Sequence, residues 1–259
     1  MIQLLLETAT DACSVAVARD GLILAEHTAG EVHQHASHLT IFIRDVMASA
    51  GVTMDELDEV VLSDGPGSFT SLRVGAATAK GLCMALPGLK LRVVPTLLSL
   101  AMAAPPHDEM TLAVINSRRG EVYGQLFDFR GAHAQVQGAL EKQGTRHLRP
   151  LLLAPQNIRL TDVNWLQDIE VAAKSAYFQV CGPGRQRIWD ALGDANAGQN
   201  VGFAKPEHCS AVHLLAPAHL AGSVTTSSPE TSRLADVATY EPFYLNPPFV
   251  TVSKKKPLG

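Results

Sequence analysis

The chain has 259 residues, 46% of them apolar and 18% charged, with a formal net charge of −4. That length can bury a full core as one large domain or two lobes, and the near-balanced charge gives no support for strong autonomous nucleic-acid binding. The four cysteines (Cys13, Cys83, Cys181, Cys209) lie far apart without a Cys-x-x-Cys pair, which fits buried free thiols in a reducing compartment rather than a disulfide framework or a zinc site.

No apolar run approaches a membrane span, and the start Met1-Ile2-Gln3-Leu4-Leu5-Leu6-Glu7 lacks the basic flank and length of a signal peptide, so a cytoplasmic protein with no membrane partner is expected. Along the chain, Leu4–Leu6 reads as a buried strand. Ser14–Ala18 and Leu22–Glu26 follow it as strands joined by the turn residues Asp20-Gly21. From His35 to Ala50, Leu39, Ile43, Val46 and Met47 recur at helical spacing and Gly51 ends the pattern. Val60–Leu62 is the next strand. Gly65-Pro66-Gly67 then forces a turn, and Ser68 or Thr70 caps a helix that begins near Ser71 and runs past Leu82. Such a strand, glycine turn and capped helix aim backbone N–H groups at one point, which suits an anion or another polypeptide.

Leu91–Val94 makes another strand, and Pro95-Thr96 starts a helix through Ala103. The Ala104-Pro105-Pro106-His107-Asp108 stretch marks a boundary, dividing residues 1–104 from 105–259. Beyond it the opening pattern returns: Leu112–Asn116, a turn at Arg118-Arg119-Gly120, and Glu121–Phe129. A strand at Phe178–Cys181, a turn at Gly182-Pro183-Gly184, a helix over Arg185–Leu192 and a last helix over His208–Ala221 complete the elements. Asn196–Asn200 and Ser223–Ser232 read as polar loops, and Lys254-Lys255-Lys256 as a short solvated terminus. Two lobes that each open with strand–turn–strand predict an α/β, actin-like or hexokinase-like duplicated fold with mixed sheets.

Leu6-Glu7-Thr8-Ala9-Thr10, His35-Ala36-Ser37-His38-Leu39, Gly65–Gly75 and Asn116-Ser117-Arg118-Arg119-Gly120-Glu121-Val122-Tyr123 together resemble the TsaB (YeaZ) family. The resemblance is strong over the first half and continues weakly through Gly182-Pro183-Gly184 to Pro242-Phe243-Tyr244-Leu245. It implies a noncatalytic scaffold or activator of tRNA threonylcarbamoyladenosine synthesis, which binds the catalytic paralogue TsaD, supports docking of the ATPase TsaE and meets tRNA only indirectly. It also implies that the two helices dock against the equivalent pair of TsaD or self-pair in a homodimer. Leu39, Ile43, Met47, Leu72, Arg73, Ala76, Ala79 and Leu82 are the expected contacts. The second helix is rich in small and apolar residues on most faces, as such close packing needs.

Chemistry separates this chain from its catalytic paralogue. That enzyme holds a metal through two histidines four apart, and here the matching positions carry Thr96 and Leu100, neither a competent ligand. Kinases of this fold place a carboxylate after the first strand of each lobe. Here Glu7 keeps the charge on a longer arm, Asn116 loses it, and Arg118 and Arg119 crowd the second loop. No cofactor of its own is therefore expected, and any contact of Gly65, Pro66, Gly67, Ser68 and Thr70 with ATP or ADP belongs to the assembled complex. His33, His35 and His38 cluster near one helix start with only Glu31 beside them, which fits a surface cluster, with Ser37 and His35 capping or bracing the helix, better than a metal site. Arg118, Arg119 and Glu121 read as a self-paired surface turn, and Ser68 has no nucleophile-elbow context. The competing readings are a metal-dependent glycoprotease-like or carbamoyl-transferring enzyme, and a sugar kinase of the same fold.

Overall fold

The computed structural model describes residues 1–29, 35–105, 110–129, 154–174, 176–193, 200–220 and 231–246. Near-continuous apolar runs become strands buried on both faces, as expected where helices cover both sides of a sheet. Strand β1 (Ile2–Glu7) pairs antiparallel with β2 (Cys13–Arg19), and β2 with β3 (Leu22–Ala29). Asp20 (φ 52°) and Gly21 (φ 83°) both take the left-handed region between β2 and β3, the geometry a tight hairpin requires. After helix α1 (His35–Ala50), β4 (Glu59–Ser63) joins β1 in parallel. Helix α2 (Phe69–Ala85), β5 (Lys90–Val94), parallel to β4, and α3 (Thr96–Ala103) follow. Buried Glu59 takes a bond from Gln3 at 2.8 Å and pairs with Arg92 at 2.9 Å, tying β1, β4 and β5 in register.

The pattern then repeats. Strands β6 (Met110–Asn116), β7 (Glu121–Asp128) and β8 (Gln156–Arg159) form a second antiparallel meander. Helix α4 (Trp165–Ala172) leads to β9 (Phe178–Cys181), which lies parallel to β6. Helix α5 (Arg185–Leu192), β10 (Val201–Phe203), a 3-10 turn at Ala211–Leu214 and the short helix α6 (Leu215–Leu220) finish the second unit. The sheet orders β5-β4-β1-β2-β3 and β10-β9-β6-β7-β8 are the same order, 5-4-1-2-3, counted within each unit. A β-β-β-α-β-α-β-α unit is present twice, which is the duplicated actin-like architecture expected from the sequence. Strand β11 (Arg233–Ala235) returns to the outer edge of the first sheet, antiparallel to β5.

The two units are joined by an exchange of helices. Leu97, Leu100 and Ala101 of α3 pack with Ala113, Ile115 and Phe127 of the second sheet, while Ala211, Leu214 and Ala218 pack on Leu5, Ala16 and Val61 of the first. On its other face the first sheet is covered by α1 and α2.

Several boundaries differ from expectation. Helix α2 starts at Phe69 rather than Ser71, because Ser68 is its cap; Thr70 lies in the first turn. The last helix does not begin at His208: residues 208–210 are non-helical, Ser210 is extended, and its hydroxyl accepts from the Val212 N–H. Strands β8, β10 and β11 and helix α4 were not anticipated, being short and without clear periodicity. The expected loops at 196–200 and 223–232 and the lysine terminus fall mostly or wholly outside the described residues.

Candidate functional site

The glycine turn after β4 is built by close approach of the chain to itself. Gly65 (φ +106°) has the Phe243 carbonyl where a Cβ would stand, Gly67 has the Ala9 backbone there, and Gly75 has the Thr8 hydroxyl. Each position therefore requires glycine for a reason internal to the fold. Two of the N–H groups expected to converge on a ligand are used within the fold. Gly65 N–H donates to Thr96 Oγ1 at 3.2 Å and Ser68 N–H to the Ala9 carbonyl at 2.7 Å; Pro66 has none. The Ser68 hydroxyl caps α2 by accepting from Ser71 N–H at 3.5 Å and Ser71 Oγ at 3.0 Å. Of the five motif residues, Gly67 and Ser68 line the cleft described below, while Gly65 and Pro66 are buried and Thr70 is exposed beside it.

The helix pair needs a correction. Leu39, Ile43, Met47, Leu72, Ala76 and Ala79 are at most 6% exposed and belong to the core formed with the first sheet, apart from Leu72, which packs under the glycine turn. Leu82 is half-buried against the same core, so Arg73 alone of the eight expected contacts is exposed. Helical periodicity marks the face a helix turns inward, and here that face is spent on the chain's own sheet. The outward face carries Ile41, Arg44, Asp45 and Ala48 on α1, and Arg73, Ala77, Gly81, Met84 and Ala85 on α2. The Arg73 guanidinium sits 4.4 Å above the Phe69 ring, which in turn packs against the tilted ring of Tyr244, 4.8 Å away.

Between the two units lies a cleft of about 520 Å³, lined by Thr10, Asp11, Asn116, Arg118, Arg187 and His208 among others. Glu7 does not reach it. Its side chain is fully buried, Oε1 accepts from Ala9 N–H at 2.7 Å, and desolvation pushes the carboxyl up to about 7. The carboxylate that faces the cleft is Asp11, which sequence reasoning missed, with Asn116 opposite at the end of β6. The β6–β7 turn is held by Arg187 of α5, whose Nη1 donates to the carbonyls of Ser117 (3.3 Å), Arg118 (2.7 Å) and Glu121 (2.8 Å). The Glu121 backbone closes that turn, bonding Arg118 and Ser117, but its side chain turns away to β8 rather than into the self-paired cluster expected. It meets Arg159 at 3.4 Å and Asn157 at 2.6 Å on β8, because the antiparallel register places those side chains beside it.

At the positions where the paralogue's metal ligands would fall, Thr96 is buried and bonded to the glycine turn, and Leu100 is buried in the core shared with the second sheet. Of the histidine cluster, His38 bonds Ser37 at 2.8 Å and packs near Phe42. His33 and the His35 side chain lie outside the described residues. Cys13, Cys181 and Cys209 are buried free thiols; desolvation pushes Cys13 up to about 11, Cys181 up to about 12 and Cys209 well above the usual thiol range, and Cys83 is free and half-buried. No described helix is long and apolar enough to cross a membrane.

Residues 23–146 match the family model described as "TsaD: tRNA N6-adenosine threonylcarbamoyltransferase". The chain is 34% identical over 122 residues to the tRNA threonylcarbamoyladenosine biosynthesis protein TsaB of Escherichia coli (strain K12), covering 46% of this chain and 52% of that one. To the protein of the same name from Bacillus subtilis (strain 168) it is 24% identical over 178 residues, covering 69% and 70%. The matched stretch thus spans about half the length of the first curated relatives, 52% and 51%. Among solved structures, a Pseudomonas aeruginosa protein described as having similarity to peptidase YEAZ superposes over 95% of this chain and 99% of its own, with a TM-score of 0.68 at 24% identity. YeaZ from Pseudomonas aeruginosa superposes over 84% and 90%, with a TM-score of 0.61 at 25% identity.

Proposed function

We propose that this chain, similar in sequence to TsaB proteins over about half their length and in fold to YeaZ, serves tRNA threonylcarbamoyladenosine biosynthesis as a noncatalytic subunit that docks a TsaD-type enzyme. The observation that carries this reading is Gly81. It sits inside α2, where glycine costs up to about 1 kcal/mol of helix stability relative to alanine, yet among the described residues a Cβ there would meet nothing within 4 Å. Unlike Gly65, Gly67 and Gly75, it is not pressed on by any described part of its own chain. An open glycine beside exposed Ala77 and Met84, the latter 78% exposed, is where a second helix can approach closely.

The docking surface is then the outward face of α1 and α2, with Ile41, Ala48, Arg73, Ala77, Gly81 and Met84 in contact with the enzyme or with a second copy of this chain when the enzyme is absent. TsaE is recruited by the composite surface, tRNA is met through the enzyme, and ATP or ADP belongs to the assembly. The way Thr96 and Leu100 are used supports a subunit without its own metal chemistry. Arg187, by tying down the β6–β7 turn, supports a cleft that is braced rather than hinged for turnover. Docking promotes activity only if the enzyme's competent state binds this face more tightly than its idle state.

Reconstituting modification of a tRNA with TsaD and TsaE, with and without this chain, tests the role. Full activity without it overturns the reading. Met84→Arg and Ala77→Arg test the surface: each is expected to abolish co-elution with TsaD while the protein stays folded, and unchanged co-elution removes that face from the assignment.

A further inference from the structure

The stretch from 231 to 246 leaves the edge of the first sheet, crosses the glycine turn and runs along the start of α2 to the mouth of the cleft. Its contacts concentrate on two residues. Asp64 is fully buried, and its carboxylate pairs with Arg233 at 2.8 Å and accepts from the Tyr240 hydroxyl at 3.1 Å. Its carbonyl accepts from Phe243 N–H at 2.8 Å, while its own N–H donates to Val94 of β5 at 2.8 Å. Gly65, next in the chain, has its missing side chain replaced by the Phe243 carbonyl. From α2, Lys80 donates to the carbonyls of Ala238 (3.3 Å) and Tyr240 (3.1 Å), and Phe69 packs against the tilted ring of Tyr244. Asn246 then lines the cleft.

A surface segment that only filled space would place apolar side chains on the helix and leave its polar groups to water. This one instead brings an arginine and a tyrosine to a carboxylate that has no exposure of its own. A buried carboxylate without such partners is strongly disfavoured. Strap and turn therefore define each other's positions. We propose that residues 233–246 act as a latch: closed on Asp64 and Gly65, it fixes the glycine turn and the first turns of α2, so the orientation of the helix is set by a segment more than 150 residues further along the chain. The consequence for partner docking rests on the function proposed above; the latch itself does not.

Hydrogen exchange on the full-length protein separates the two. Tyr240→Phe and Arg233→Met are compared with the parent, alone and combined, and Lys80→Met serves as a variant that loosens the strap without touching Asp64. The expected result is exchange faster by about tenfold or more at residues 65–75 in the double variant, since lost bonds to a charged group open the structure locally, with the amides of β6 unchanged. Unchanged exchange at 65–75 overturns the latch, and so does an equal rise in both sheets, which would mean general destabilisation. If 65–75 loosens while affinity for the TsaD-type partner stays the same, the latch stands and its coupling to docking fails.

Discussion

The glycine turn after β4 and its counterpart after β9 share a sequence, Gly-Pro-Gly, and a place in the repeated unit, but different neighbours close over them. In the second unit Gly182 (φ +99°) is closed by the Val114 carbonyl of the adjacent strand and donates to the Pro206 carbonyl at 2.7 Å. In the first, the equivalent glycine is closed by Phe243 from the far end of the chain. The loops ahead of the turns diverge as well. After β1 the chain buries Glu7, whereas after β6 it exposes Asn116 to the cleft and lets Arg187 tie the following turn. One backbone solution has been kept twice. The second copy is closed by β6 of its own unit with Leu100 of α3 beside it, and the first by a strap that also lies against the outward-facing helix.

The largest effect that tests this comparison is on the glycines. Gly65→Ala is expected to cost about 3 kcal/mol or more, because it combines a strained φ with an occupied site, and Gly182→Ala a similar amount. Gly88→Ala, at φ +91° but with open space around it, should cost only about 1–2 kcal/mol. Chemical denaturation ranks the three, and a tolerant Gly65 would show that the strap does not press on the turn.

Next comes pH. The Glu7 carboxyl is raised in the folded state to about 7 from 4.5, so the folded protein binds more protons than the unfolded chain between those values. Its contribution is present below about 4.5, is lost as pH rises to about 7, and does not change above that. The difference is on the order of 3 kcal/mol at most. Glu7→Gln should therefore gain stability relative to the parent at pH 8 and lose that advantage towards pH 5. Parallel curves at the two pH values would place the charge elsewhere. Asn116, at the corresponding place in the second unit, does not titrate and contributes no such slope.

Arg187→Met should cost about 1–3 kcal/mol, since it strips a charged donor from three carbonyls. It should raise exchange in residues 117–121 while leaving the Thr8–Ala12 loop protected, because that loop is held through Ser68 instead. Equal loosening of both loops would contradict separate closure. The smallest stability effect is expected for Met84→Arg, within about 0.5 kcal/mol for so exposed a site. By contrast Ala79→Arg, at a position with no exposure, should unfold the first lobe.

Much of this fold could be read locally. The β2–β3 hairpin follows from Asp20-Gly21 between apolar runs, α1 from the spacing of Leu39, Ile43, Val46 and Met47, and the duplication from the second strand–turn–strand pattern after residue 110. The resemblance places partner contacts at Ile43, Ala76 and Ala79, but apolar periodicity identifies the face a helix buries, and the first sheet already covers these residues. The outward face is marked by weaker signs, a single glycine and an exposed methionine, which mean nothing until the inward face is known. Short edge strands such as β8 and β11 were illegible because three or four residues carry too little pattern to outweigh their neighbours.

By itself the sequence determined the resemblance to TsaB proteins, the repeated α/β unit and the positions where backbone without side chains is needed, because turn chemistry and burial patterns act over a few residues. Only the tertiary structure decided why those glycines are needed. Phe243, Ala9 and Thr8 press on them from distant parts of the chain, as Arg233 and Tyr240 reach Asp64 across more than 150 positions. Such contacts depend on how sheets and straps come together in space, and no local pattern encodes them.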